Sequence, residues 1–157
     1  MTKNVEVDNS KVLARLKKLA EGLEGAPKLM GEIGSFLVAS MLKRTSQGLD
    51  VEGIPFDAYS VPYAKFRESI DLPTDKVDLF FTGQMLEKLT YEETGKQVKL
   101  FFTNTPRRGY KGGKEKVSNS ELAFYNNETR EFFAISSEEE KTILEMVEDY
   151  VRDLLRK

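Results

Sequence analysis

The chain has 157 residues, enough for one domain with a real hydrophobic core and short for two. Charged residues make up 32% and the hydrophobic class 39%, with a formal net charge of −2; this balance excludes a disordered or membrane-embedded class and confines any nucleic-acid role to a local patch. There is no cysteine and no histidine, so disulfides, thiolate metal sites and the side chain most used for proton transfer near neutral pH are all excluded. The polar, mixed-charge start from Met1 to Ser10 lacks the apolar stretch of a secretory signal, and a cytoplasmic protein is expected.

From Ser10 to Leu23 the apolar residues Val12, Leu16, Leu19 and Leu23 recur at helical spacing among Lys11, Arg15, Lys17 and Lys18, which predicts an amphipathic helix. Gly25-Ala26-Pro27 interrupts it, and Pro27 suits the first turn of a second helix running to about Arg44. Met30, Ile33, Leu37 and Met41 form the stripe of that helix, while Gly31, Gly34, Ser35 and Ala39 permit close packing. Gly48 to Pro62 carries Gly53, Pro55 and Pro62 and is predicted irregular, yet Leu49, Val51, Ile54, Phe56 and Tyr59 make it too apolar for a flexible linker. The expectation is a long ordered loop that buries side chains against the body or a neighbouring subunit. Ser60-Val61-Pro62 opens a short helix through Phe66, with Ser60 as cap.

After a polar break at Asp71 to Lys76 comes the apolar run Val77 to Phe81; Thr82-Gly83 then caps a short helix carrying Met85, Leu86 and Leu89. Tyr91 to Glu93 and Gln97 to Thr103 flank Thr94-Gly95-Lys96 as a hairpin, with Val98, Leu100 and Phe102 on one face by strict alternation. Residues 104–120, rich in glycine and without an apolar period, read as an exposed, mobile loop. Leu122 to Tyr125 resumes apolar character, and Phe132 to Ile135 reads as a short extended piece. Ser136 with Glu139, and Ser137 with Glu140, stand at capping-box spacing before the last helix, whose stripe is Ile143, Val147, Tyr150, Val151, Leu154 and Leu155. Helices first and last around a small antiparallel sheet predict one α+β domain over residues 1–157, with long ordered loops.

Candidate chemistry is sparse. Gly113-Lys114 fails the phosphate-loop pattern, because Arg108 and Glu115 occupy the places of its glycine and its Ser or Thr. Asp75 with Asp78, or Asp50 with Asp57, offers hard-cation ligands, but carboxylates are common in so charged a chain and no lysine or tyrosine partner stands at a recognisable spacing. No metal or cofactor is expected, and no enzyme. Arg107, Arg108, Lys111, Lys114 and Lys116 against the single acid Glu115 form a basic loop with Tyr110 among them, able to follow a phosphate backbone and stack on a base. The bland alternative is a solvated loop tip. Arg130, ahead of Phe132 and Phe133, is suited to a bidentate carboxylate contact, to ring stacking, or to an internal salt bridge.

The order of these pieces resembles the phage virion-morphogenesis and tail-completion families. The resemblance lies in the loop Gly48 to Ser60 with Tyr63 and Lys65 after it, in Phe81-Thr82-Gly83-Gln84-Met85-Leu86, and in Ala123-Phe124-Tyr125-Asn126-Asn127 followed by Arg130-Glu131-Phe132. Phe56 stands where the family often has tryptophan, and Asn126-Asn127-Glu128 replaces a stretch that commonly holds histidine and then glycine. The resemblance implies a non-enzymatic structural protein acting at the head-tail junction, neck or tail end. It implies a homo-oligomeric ring, other phage head-tail or tail proteins as partners, and passage from the host bacterial cytoplasm into the virion, with no membrane contact. On that basis Ile54, Phe56, Tyr59 and Arg130 are the candidate assembly interface, and the basic loop faces a DNA-carrying lumen or a partner ring. The alternative is a small DNA-binding module using residues 106–116.

Overall fold

The computed structural model describes residues 10–109, 112–113 and 115–156. They form an α+β fold of five helices and one two-stranded antiparallel hairpin: α1 (Ser10–Glu24), α2 (Pro27–Ser46), α3 (Val61–Glu68), β1 (Leu89–Thr94), β2 (Gln97–Phe102), α4 (Asn119–Thr129) and α5 (Ser137–Arg156). Among these residues no helix is long and apolar enough to cross a membrane.

Helix α2 is the spine. Pro27 stands in its first turn, where the missing N–H costs nothing, and Lys43 and Arg44 sit in the last turn against the negative helix end. Its stripe faces two apolar clusters: Leu29, Ile33 and Leu37 with Ala26 in one, and Met41 with Phe56, Val77, Met85, Leu89, Phe102, Ala123 and Phe132 in the other. Leu100 packs against both and joins them into one core. Leu37 is 2% exposed, so Leu37→Ala forfeits about 2–5 kcal/mol of burial and packing.

The hairpin lies on α2, with the face that Val98, Leu100 and Phe102 share turned toward the helix. Its register pairs Leu89 with Phe102, Tyr91 with Leu100 and Thr94 with Gln97, so Leu89, Tyr91, Val98, Leu100 and Phe102 face the helix. Gly34 makes this possible: a Cβ there would sit 2.3 Å from the Tyr91 ring, whose hydroxyl pairs with Ser35 Oγ at 2.9 Å. What comes close is a ring, and at Gly31 nothing does. At the other end α1 rests on α5, with Tyr150 Oη donating to the Gly22 carbonyl at 3.2 Å. Leu16, expected in the α1 stripe, is 56% exposed instead.

Four local expectations need correction. Leu89 belongs to β1; the predicted short helix shrinks to a 3-10 turn at Leu86–Lys88. Ser60 stands at the α3 N-cap, but its side chain makes no capping bond. Phe132 to Ile135, expected to run extended, bend at Phe133 and Ala134. Asn119 and Ser120, assigned to an exposed loop, begin α4: Asn119 is 1% exposed and its Nδ2 donates to Thr105 Oγ1 at 2.8 Å. Helix α4 starts with a full capping box, Ser118 with Glu121, and the Ser118 backbone N–H and hydroxyl hold the Glu121 carboxyl below its ordinary pKa.

At the start of α5 the Ser136–Glu139 capping box forms, the Ser137–Glu140 pair makes no such box among the described residues, and Glu139 gains two further partners. Glu139 accepts from the Ser136 N–H at 2.8 Å, and the Glu139 N–H donates to Ser136 Oγ at 3.2 Å. The same carboxylate, 3% exposed as a residue, also takes Ser40 Oγ at 2.6 Å and Arg44 Nη1 at 2.5 Å. Arg44 Nη2 donates to the carbonyls of Phe132 and Ala134, at 3.0 and 2.9 Å. The ion pair thereby holds Phe132 to Ile135 against α2, the work a sheet partner would otherwise do.

Candidate functional site

The Gly48 to Ser60 loop is ordered by its own backbone. Gly48 has φ +78°, and a Cβ there would lie 2.9 Å from the Val77 carbonyl, so only glycine turns the chain out of α2 at this place. Leu49 bridges Pro55, Val51 N–H donates to the Glu131 carbonyl at 2.8 Å, and Asp50 Oδ1 accepts the N–H groups of Glu52 and Ile54. The expected interface residues separate here. Ile54 is 59% exposed at the tip, whereas Phe56 is buried in the core and Tyr59 is half-buried against Arg67. Phe56 is therefore a contact within this chain and not the surface residue expected, while Tyr59 packs on Arg67 and keeps part of its surface open.

Arg67 organises the segment from Tyr59 to Phe81. It is 1% exposed; Nε donates to the Pro73 carbonyl at 2.9 Å, Nη1 to the Phe80 carbonyl at 2.8 Å, and Nη2 lies 3.8 Å from Asp78 Oδ1. Its guanidinium carbon sits 4.5 Å from the Tyr59 ring centroid, a desolvated cation–π contact. Burial raises the Tyr59 pKa above 10, partly opposed by the Arg67 charge. Asp78 Oδ1 also accepts the Phe80 N–H at 3.0 Å, closing a turn around Leu79, whose φ of 54° costs a branched-chain residue about 1–2 kcal/mol. The outcome is a row of rings, Tyr59, Tyr63, Phe66 and Phe81, with successive centroids 5.2, 6.2 and 6.1 Å apart. Beside it Val61, Tyr63, Phe66 and Phe80 face outward, 68, 37, 43 and 47% exposed.

The basic loop is built at its base. Gln84 reads the Arg108 backbone as a strand would: Arg108 N–H donates to Oε1 and Nε2 donates to the Arg108 carbonyl, both at 2.9 Å. Gly109 N–H meets the Gly113 carbonyl at 2.7 Å, and Glu115 N–H the Arg107 carbonyl at 3.2 Å. Arg108 and Lys116 are exposed and Arg107 is half-buried; Tyr110, Lys111 and Lys114 lie outside the described residues.

Within this chain Arg130 forms neither the expected internal salt bridge nor a ring contact among the described residues. Its Nη2 approaches the Asp57 carbonyl at 3.4 Å and Nη1 approaches Thr129 Oγ1 at 3.5 Å, both weak. It lies with Ile54 in an open cleft of about 480 Å³ that Asp50, Asp57, Glu128 and Glu131 also line. Of the carboxylates considered as ligands, Asp78 serves Arg67 and Asp50 serves its own turn. Among the described residues no three acidic groups are placed to share a metal ion.

Sequence reasoning missed Arg67, Gln84, Asn119 and the Arg44 to Glu139 pair. Only α4 had a signal: Ser118 and Glu121 repeat the spacing of Ser136 and Glu139. Compared with family models, with curated proteins and with solved structures, the chain matches none.

Proposed function

We propose that this chain is a non-enzymatic structural protein of tailed-phage or prophage assembly, acting at the head-tail junction or tail end. The phage assignment rests on the order of motifs from Gly48 to Phe132. The observation that carries the assembly role is the outward aromatic surface of α3 and Phe80, held by a fully buried arginine and a left-handed leucine. Ordering of this kind prepays the entropy of presenting large side chains to a partner, which is what a docking protein requires. The test is direct. The purified chain is added to isolated connectors and tails and followed by light scattering and electron microscopy; a Phe66→Ser, Phe80→Ser double variant serves as control. Seating of the wild type and loss of seating in the variant is the expected result. A wild-type chain that is monomeric and joins neither particle sinks the proposal.

A second reading has its own observation. Gln84 holds Arg108 by both of its backbone polar groups, so part of the basic loop has a defined pose rather than a free one. A DNA-binding module using residues 106–116 loses affinity steeply with salt and loses it altogether when Arg107, Arg108 and Lys116 are neutralised. Absence of binding at low salt removes this reading.

A further inference from the structure

The hairpin leaves backbone groups on both of its sides without partners. Bonded and non-bonded positions alternate along an antiparallel pair. The two-residue turn Gly95-Lys96 and the 3.0 Å bond from Thr103 N–H to the Lys88 carbonyl decide which are which. Thr94 with Gln97, Glu92 with Lys99 and Thr90 with Phe101 bond one another. Tyr91 and Glu93 on β1, and Val98 and Leu100 on β2, turn their N–H and C=O groups away from the hairpin. Among the described residues nothing hydrogen-bonds to those outward groups. Helix α2 covers the inner face, and α4 comes alongside β2 at Phe102, where Ala123 shares its cluster. At Leu100 an open apolar groove of about 280 Å³, lined also by Phe124 and Phe133, separates α4 from the strand.

The two edges differ in charge. On the face away from α2, β1 carries Glu92 and β2 carries Lys99, both exposed and neither in an ion pair among the described residues. Lys99 Nζ lies 5.9 Å from the Phe101 ring centroid. An open strand edge is a ready template for pairing with another chain.

We propose that the outer edge of β2 pairs antiparallel with the outer edge of β1 of a second copy, in the hairpin's own register. Val98 then faces the partner subunit's Glu93, and Leu100 faces the partner subunit's Tyr91. That register sets Lys99 opposite the partner subunit's Glu92 at a position where side chains approach closely. Slipping by two residues puts Lys99 opposite a threonine, and slipping by one turns the apolar face outward. Pairing like edges sets β1 acid near acid, or leaves Lys99 facing its own copy or a ring. Opposite charge therefore selects the head-to-tail arrangement, which uses the same two edges in every copy and closes into a ring when the rotation permits. The pairing deepens the assembly reading and depends on it only for the ring.

Mixing decides the matter. Lys99→Glu and Glu92→Lys are purified separately, and circular dichroism establishes that each folds. Each alone sets like charges at every junction and weakens self-association by about tenfold. Mixed in equal amounts they restore it, because each junction between unlike variants again joins acid to base. Native mass spectrometry reads the assemblies, and amide exchange reads protection of Tyr91, Glu93, Val98 and Leu100 as wild-type concentration rises. Association unchanged in both variants, or a mixture no better than its components, overturns the pairing. So does a wild-type chain in which these amides exchange freely at every concentration. Any of these leaves the junction reading to its own test on connectors and tails, while failure there with restoration here removes the junction reading and keeps the pairing.

Discussion

Arg44→Met removes a charge from the most enclosed ion pair in the fold. The Arg44 and Glu139 side chains are 11 and 4% exposed, so the carboxylate left behind has little water to turn to. Its remaining partners are Ser40 and the Ser136 N–H, and the Phe132 and Ala134 carbonyls lose their donor altogether. Deleting one member of such a pair costs about 3–5 kcal/mol. For a domain of this size that lowers the melting temperature by about 6–20 °C. Replacing both members, Arg44→Met with Glu139→Leu, leaves no stranded charge; its cost falls to about 1–2 kcal/mol, mainly the lost helix cap and carbonyl bonds. Urea unfolding of the two single variants and the double variant closes the cycle. A single Arg44→Met loss below about 1 kcal/mol, or a double variant as damaged as the two singles added together, refutes the coupling.

Gly34→Ala forces the Tyr91 ring off α2 and costs about 1–3 kcal/mol despite the better helix former, and a second change, Tyr91→Ala, removes the clash; denaturant melts of both variants check this. Ser118→Ala removes the cap of α4 and lowers stability by about 1 kcal/mol, read as a shift in urea midpoint without a change in slope. Tyr59 keeps its proton longer in the folded than in the unfolded chain. Stability present at neutral pH is therefore lost as pH rises through the ordinary phenol range near 10 and on toward the raised folded value, and Tyr59→Phe flattens that fall in alkaline melts. A variant as pH-sensitive as the wild type in this range would falsify the assignment.

Features that rest on periodicity were legible in the sequence. Ile33, Leu37 and Met41 announce α2, the alternation of Val98, Leu100 and Phe102 announces β2, and Ser136 with Glu139 announces α5. Helix α4 was not, because Leu122, Ala123, Phe124 and Tyr125 are consecutive and give no stripe, leaving the Ser118 box unread amid glycines and charges. An apolar residue in a loop has two equally cheap destinations, the body or a neighbour, and nothing local told Phe56 from Ile54. Arg67 was invisible for a different reason. Its partners are main-chain carbonyls of Pro73 and Phe80, and main-chain atoms are alike in every sequence. Of the basic loop, its charge was readable and its anchor was not, since a glutamine that imitates a strand looks like any surface glutamine.

The tip of the hairpin decides where this protein tolerates a label. Gly95 presses on the turn between α1 and α2: a Cβ there would lie 3.0 Å from Gly25 Cα, and the Gly95 carbonyl accepts the Ala26 N–H at 3.2 Å. The two-residue turn looks like a natural place for a fluorophore or an inserted epitope, but any side chain there pries the hairpin away from the start of α2. Gly113 has open space where its Cβ would go, so a small side chain there leaves α2 and the hairpin untouched.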